Sequence, residues 1–140
     1  AVKRLADLAG FTFLEGEYDP GTWFREVEGL EDQPEKGARC EVCIGARLEA
    51  TARIARARGF DAFAAVLTVS PRKDAALVNR LGDQAAREFG VSYVRSDFKK
   101  KDGFKRSVHL SRDYGLYRQD YCGCEFSKRR NLEDGGQKPE

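Results

Sequence analysis

The chain has 140 residues, 41% apolar and 34% charged, with a formal charge of +2, which suits one globular domain with a real core and argues against wholesale disorder. No apolar run approaches the roughly 18 residues of a membrane span, and no basic stretch precedes an apolar signal core, so a cytoplasmic protein without a membrane partner is expected. A charge so close to neutral also excludes a global pull towards nucleic acid, leaving local clustering to make any such case.

Taken in order, Val2, Leu5 and Leu8 recur at helical spacing and Gly10 ends that helix. Phe11 to Leu14 reads as a short strand, followed by turn chemistry at Tyr18-Asp19-Pro20-Gly21. Thr22 to Leu30 resumes a helical pattern around Trp23 and Val27, and Glu31 to Arg39 is an exposed loop leading to Cys40. Glu41 to Arg58 carries the strongest helix signal, with Ile44, Leu48, Thr51 and Ile54 down one side and Gly59 closing it. Ala62 to Val69 is an unbroken apolar run, the pattern of a strand buried on both faces. Ser70 to Asp74 connects it to a helix over 75–89, which Gly90 stops before a strand over Val91 to Val94. The alternation predicts an α/β fold, a parallel sheet with right-handed crossovers, whose ligands bind beyond the carboxyl ends of the strands, where Asp19, Ser70 and Asp97 fall.

The last third changes character. Phe98 to Arg106 is dense in lysine, Val108 to Tyr114 reads as helix with His109 on its surface, and the tail over 131–140 reads as frayed. Arg95, Lys99, Lys100, Lys101, Lys105 and Arg106, joined later by Lys128, Arg129 and Arg130, form a basic run that can pair with the phosphates of an RNA stem-loop or simply be a solvated face. Ser70-Pro71-Arg72 lies between a strand end and a helix start, where a phosphate or a base can be held, though an ordinary capped loop looks the same.

Four cysteines fall in two close pairs. Cys40 and Cys43 lie within one turn at the start of the long helix, where backbone N–H groups and the helix dipole favour thiolate. Cys122-Gly123-Cys124 is tighter, its glycine letting both sulfurs turn to one ion or cluster. Spacing alone leaves three readings open: a four-thiolate zinc site stabilising an RNA-binding module, an iron–sulfur centre, and a metal-free dithiol oxidoreductase. The one-residue gap tells against a zinc knuckle, which repeats a two-residue gap.

The run Arg39-Cys40-Glu41-Val42-Cys43, Arg47 to Ala52, Leu67 to Pro71, Ser96 to Ser107 and Tyr114 to Cys124 together resemble the QueH family of epoxyqueuosine reductases over residues 2 to 130. That resemblance implies a three-layer Rossmann-like parallel sheet similar to the adenine nucleotide alpha hydrolase fold, with a helical and irregular C-terminal segment carrying Cys-Gly-Cys. It implies reduction of epoxyqueuosine to queuosine at the wobble position of tRNA, without cobalamin. It implies an iron–sulfur cluster of the 4Fe–4S type with an additional iron ion, and an electron donor. Cys40, Cys43, Cys122 and Cys124 become its metal ligands. Asp19 becomes an oxygen ligand or proton donor, against its reading as a turn residue before Pro20. Tyr117 and Tyr121, from their place beside the second cysteine pair, are candidates to donate protons or stack on a base, against simple packing. Ser70, Arg72, Arg95, Lys99, Lys100, Lys101, Lys105, Arg106 and Arg118 become substrate contacts. The family pattern opens with a strand and a Cys-Cys motif followed by a third Cys. The 140 residues are therefore expected to be a single α/β domain without its first strand and those thiols.

Overall fold

The computed structural model describes residues 1–128. They fall into two compact units, Gly21–Arg106 and a second made of Ala1–Pro20 with the chain from Ser107 onward. Arg129, Arg130 and the tail over 131–140 lie outside the described residues.

The larger unit is organised by two helices, α3 (Ala38–Ala57) and α4 (Ala75–Phe89). Alanine and arginine dominate α3, both strong helix formers. Its inward face carries Ile44, Leu48, Ala52 and Ala55, at steps of four, four and three that keep one stripe on one side. Ile54, which the sequence pattern places on that stripe, is instead 41% exposed, and the small Ala52 and Ala55 take the contact. Val78, Leu81 and Ala85 of α4 join them, with Phe63, Ala65 and Val91, in one core. Burying each Leu, Ile, Val or Phe here contributes roughly 1.5–3 kcal/mol. Local chemistry sets the ends of α4. The Asp74 carboxylate accepts the Ala76 N–H at 2.9 Å, and Gly90 follows with φ 63°. The sequence-predicted bounds of this helix match.

Strands β1 (Ala62–Ala64) and β2 (Ser92–Val94) pair in parallel, Ala62 with Ser92, Phe63 with Tyr93 and Ala64 with Val94. Phe63 and Tyr93 meet at a ring separation of 5.1 Å. The Tyr93 ring lies against Gly82 of α4, where any Cβ would collide with it. The apolar run from Ala62 is not a long strand buried on both faces. It stops after three residues, alternates exposed, buried, exposed, and gives way to a 3-10 turn at Leu67–Val69. Side chains explain the stop: the Ser96 hydroxyl donates to the Ala65 carbonyl at 3.3 Å and Thr68 Oγ1 accepts the Phe98 N–H at 3.2 Å, so side-chain bonds take groups a ladder would have used. Among the described residues the fold is thus α/β with a two-stranded parallel sheet and mostly helices.

Two further expectations change. Phe11 to Leu14 forms no strand: the Phe11 N–H turns back to the Ala6 carbonyl at 3.1 Å, completing the end of α1 (Val2–Ala9). Nor does any strand pair with it among the described residues. The helix expected over Thr22 to Leu30 is α2 (Pro20–Glu26), which starts earlier because proline suits the first helical position, and ends earlier in a turn that the Leu30 N–H closes on the Val27 carbonyl at 2.9 Å. Helix α5 spans Gly103–Asp113. No described helix is long and apolar enough to cross a membrane.

Candidate functional site

The first cysteine pair is built by the start of α3. Cys40 is the third residue of that helix and Cys43 the sixth, a spacing that puts both on one side within a turn. Cys40 is buried, Cys43 half-buried, and both are free thiols. Cys40 Sγ accepts the Lys36 N–H at 3.4 Å. Between the loop and the helix stands Arg39, 2% exposed. Its Nη1 donates to the carbonyls of Leu30 at 3.0 Å, Glu31 at 2.7 Å and Gln33 at 2.8 Å. These charge-assisted bonds fasten the 30–33 turn to the helix that carries the cysteines. The Glu31 carboxyl sits below the usual carboxylate range because its own N–H and that of Gly29 favour the ionised form, with Arg39 adding to the effect.

A polar cluster occupies the carboxyl ends of β1 and β2. Thr68, fully buried, lies 3.3 Å from the Ser96 hydroxyl. The Asn79 amide donates to the Ser96 carbonyl at 3.0 Å, while its oxygen accepts the Ser96 N–H at 3.2 Å and the Tyr93 hydroxyl at 3.1 Å. Burial first, and then the Asp83 charge, push the Tyr93 phenol above its ordinary pKa, so it stays a donor. Lys99 Nζ reaches the Thr68 and Lys73 carbonyls, both at 3.0 Å, with Asp97 Oδ1 at 3.6 Å. The Lys73 ammonium stands 4.0 Å from Glu35 Oε1, and Glu35 precedes the residue whose N–H meets Cys40. A chain of contacts thus runs from the strand ends to the first cysteine pair. Thr68, Ser96, Asn79, Lys73, Glu35 and Arg39 were not expected as site residues. A threonine inside an apolar run and an asparagine on a helix that packs into the core are the sequence signals that point to such a cluster.

The other basic residues of this unit are placed differently. Arg95 makes an exposed ion pair with Asp83 at 3.1 Å and Lys105 one with Asp102 at 3.5 Å. Lys100, Lys101 and Arg106 are exposed, as is Arg72, whose N–H donates to Ser70 Oγ at 3.2 Å. Lys101 and Asp102 both adopt positive φ, 53° and 59°. At the next residue, Gly103, a Cβ would run into the Phe98 carbonyl.

In the smaller unit, residues 116–124 have no regular secondary structure. Cys122 is half-buried and Cys124 buried, both free, and Gly123 between them has φ 83°. The Lys128 N–H donates to the Cys124 carbonyl at 3.0 Å, opening a helical turn. Gln119 Nε2 donates to the Tyr121 carbonyl at 2.7 Å, and the Lys128 ammonium stands 5.6 Å from the centre of the Tyr121 ring. Arg118 Nη1 donates to Ser111 Oγ at 3.1 Å and to the Ser107 carbonyl at 3.4 Å. Tyr117 is 73% exposed and Tyr121 half-buried. Asp19 is exposed immediately before α2, and His109 is on the surface as expected.

Each pair therefore offers two free thiols, a donor chemistry suited to soft metals. Among the described residues no group of three or more His, Cys, Asp or Glu is gathered to hold a metal ion. Residues 1–130 match the family model described as epoxyqueuosine reductase QueH. The chain belongs to the QueH family. It is 44% identical to the epoxyqueuosine reductase QueH of Streptococcus pyogenes serotype M1 over 84% of this chain and 46% of that protein. The QueH of Staphylococcus epidermidis is 40% identical over 85% of this chain and 51% of its own length. That of Thermotoga maritima is 36% identical over 91% of this chain and 68% of its own length. This QueH-family chain spans about half the length of the first two relatives.

Proposed function

We propose that this chain is the part of an epoxyqueuosine reductase that supplies four thiolate ligands and a basic RNA-binding face. The match over residues 1–130, which includes all four cysteines, carries this reading. Its proposed substrate is tRNA bearing epoxyqueuosine at the wobble position, in the cytoplasm, and the product is queuosine. The finer fold, a three-layer Rossmann-like sheet, belongs to the same proposal.

Cys40, Cys43, Cys122 and Cys124 would hold iron as part of an iron–sulfur centre of the 4Fe–4S type, with a further iron ion and without cobalamin. When bound, such a centre supplies one-electron transfers and an iron able to polarise an oxygen. Removing the epoxide oxygen as water takes two electrons, from an external donor, and two protons. Asp19, Tyr117 and Tyr121 are the proposed residues for holding or delivering those protons, the tyrosines also offering faces on which a base can stack. Lys100, Lys101, Lys105 and Arg106, with Arg72, Arg95 and Arg118, bind phosphates, and Ser70 offers a hydroxyl beside them.

Anaerobic purification followed by iron, sulfide and zinc analysis tests the reading, together with mass spectrometry of tRNA nucleosides after incubation with a chemical reductant. Iron and sulfide in near-equal amounts, broad absorption near about 400 nm and loss of one oxygen from the modified base are expected. A colourless protein carrying stoichiometric zinc and no iron would overturn the reductase reading and leave the zinc-stabilised RNA-binding module as the alternative.

A further inference from the structure

Of the basic residues between Arg95 and Arg106, Lys99 differs in where its charge is directed. Lys100 and Lys101 are exposed, and Lys105 is 76% exposed. Lys99 is 29% exposed, and its ammonium is turned inward to three oxygens: the carbonyls of Thr68 and Lys73, each at 3.0 Å, and Asp97 Oδ1 at 3.6 Å. An ammonium has three donors and no acceptor; two of them go to the carbonyls, and the Asp97 carboxylate adds an ion pair. The two carbonyls lie in the segment after β1, whereas Lys99 belongs to the segment after β2. The adjacent Phe98 N–H repeats the tie, donating to Thr68 Oγ1 at 3.2 Å.

We infer that Lys99 is a positioning residue and not a phosphate contact. It joins the loop of Ser70 and Arg72 to the loop of Lys100 and Lys101, so that two chain segments separated by a whole helix present one basic surface. Without the ammonium, the Thr68 and Lys73 carbonyls lose a charged donor and Asp97 its cation, and the Lys73 end of the first loop loses its bond to the second. The anion-binding part of this inference rests on the RNA-binding reading above; the tie between the loops does not.

The test begins with the unaltered full chain, treated with an amine-acylating ester with and without a tRNA anticodon stem-loop, the rate at each lysine being read by mass spectrometry. Lys99 is expected to react about tenfold more slowly than Lys100 and Lys101 in the free protein, as engagement of its charged donors requires. RNA is expected to protect Lys100 and Lys101 and leave Lys99 unchanged. Lys99 reacting as fast as its neighbours, or becoming protected only with RNA, overturns the inference.

Variants then separate positioning from contact. Lys99→Met is expected to quicken amide exchange about tenfold in 68–73 and 97–102, while α3 and α4 keep their protection. Its RNA affinity falls further than that of Lys100→Met. Lys100→Met leaves exchange unchanged and lowers the salt slope by about 0.7–0.9, the share of one phosphate. Lys99→Arg, which still donates to both carbonyls, retains protection and binding. Unchanged exchange in Lys99→Met, or an equal loss in Lys99→Arg, counts against the tie. Failure of the unaltered chain to bind the stem-loop would remove the RNA reading, while acylation and exchange would still decide the role of Lys99.

Discussion

Cys40 and Cys43 stand in a helix that makes their spacing for them, whereas Cys122 and Cys124 stand in a segment without regular structure until just past the second thiol. The first pair inherits its geometry from backbone hydrogen bonding over twenty residues, and a buried guanidinium fixes the loop that enters that helix. The second pair flanks a glycine with positive φ, and the exposed Gln119 amide bonds to the Tyr121 carbonyl just before it. Two thiol pairs of the same composition are thus prepared to very different degrees. Preparation lowers the entropy that remains to be lost when a ligand is bound, so of the two thiol pairs the helical one is the better prepared.

That contrast can be broken most forcefully at Arg39. Arg39→Ala leaves three carbonyls in a buried turn without their charged donor, a loss on the order of 3 kcal/mol. Urea unfolding followed by tryptophan fluorescence should show it, with amide exchange accelerated across 30–40 and unaffected across 119–128. Spread of the disturbance to the second segment would mean that the pairs are not separately prepared. At Gly123, substitution by alanine forces a side chain into the left-handed region at a cost of about 1–2 kcal/mol, and its Cβ would lie 3.3 Å from Gln119 Nε2. Exchange in 119–128 should quicken several-fold while 30–40 stays protected; no change there would show that something other than this glycine shapes the turn. Gln119→Ala is the mildest, removing an exposed bond worth about 0.5–1 kcal/mol, and it should loosen only the amides next to Tyr121.

Features written in short stretches of sequence were legible. The end of α4 was legible from Gly90, and the structure adds Asp74 as the cap at its start, both contacts between near neighbours. The two cysteine pairs, and the family to which the chain belongs, were legible from spacing and from the motifs around them. The length of β1 was not, because what stops the strand is a serine and a threonine bonding across from other segments. Phe11 to Leu14 had the composition of a strand, but a strand exists only by pairing, and its first N–H serves the preceding helix instead. Arg39 looks like any other arginine in a chain with 25 basic residues; three converging carbonyls, brought round by a turn, make it interior. In the same way, Lys99 and Lys100 are neighbours of one chemistry, and only the placement of two distant carbonyls separates them.

Gly103 carries the remaining lesson. Its missing side chain clears the Phe98 carbonyl directly after two residues held at positive φ. The contour of the lysine-rich loop thus depends in part on a residue with no side chain to offer a ligand. Exposed Lys100 and Lys101 carry charge without a side-chain contact in that turn that a neutral residue would clash with. The glycine has no such latitude.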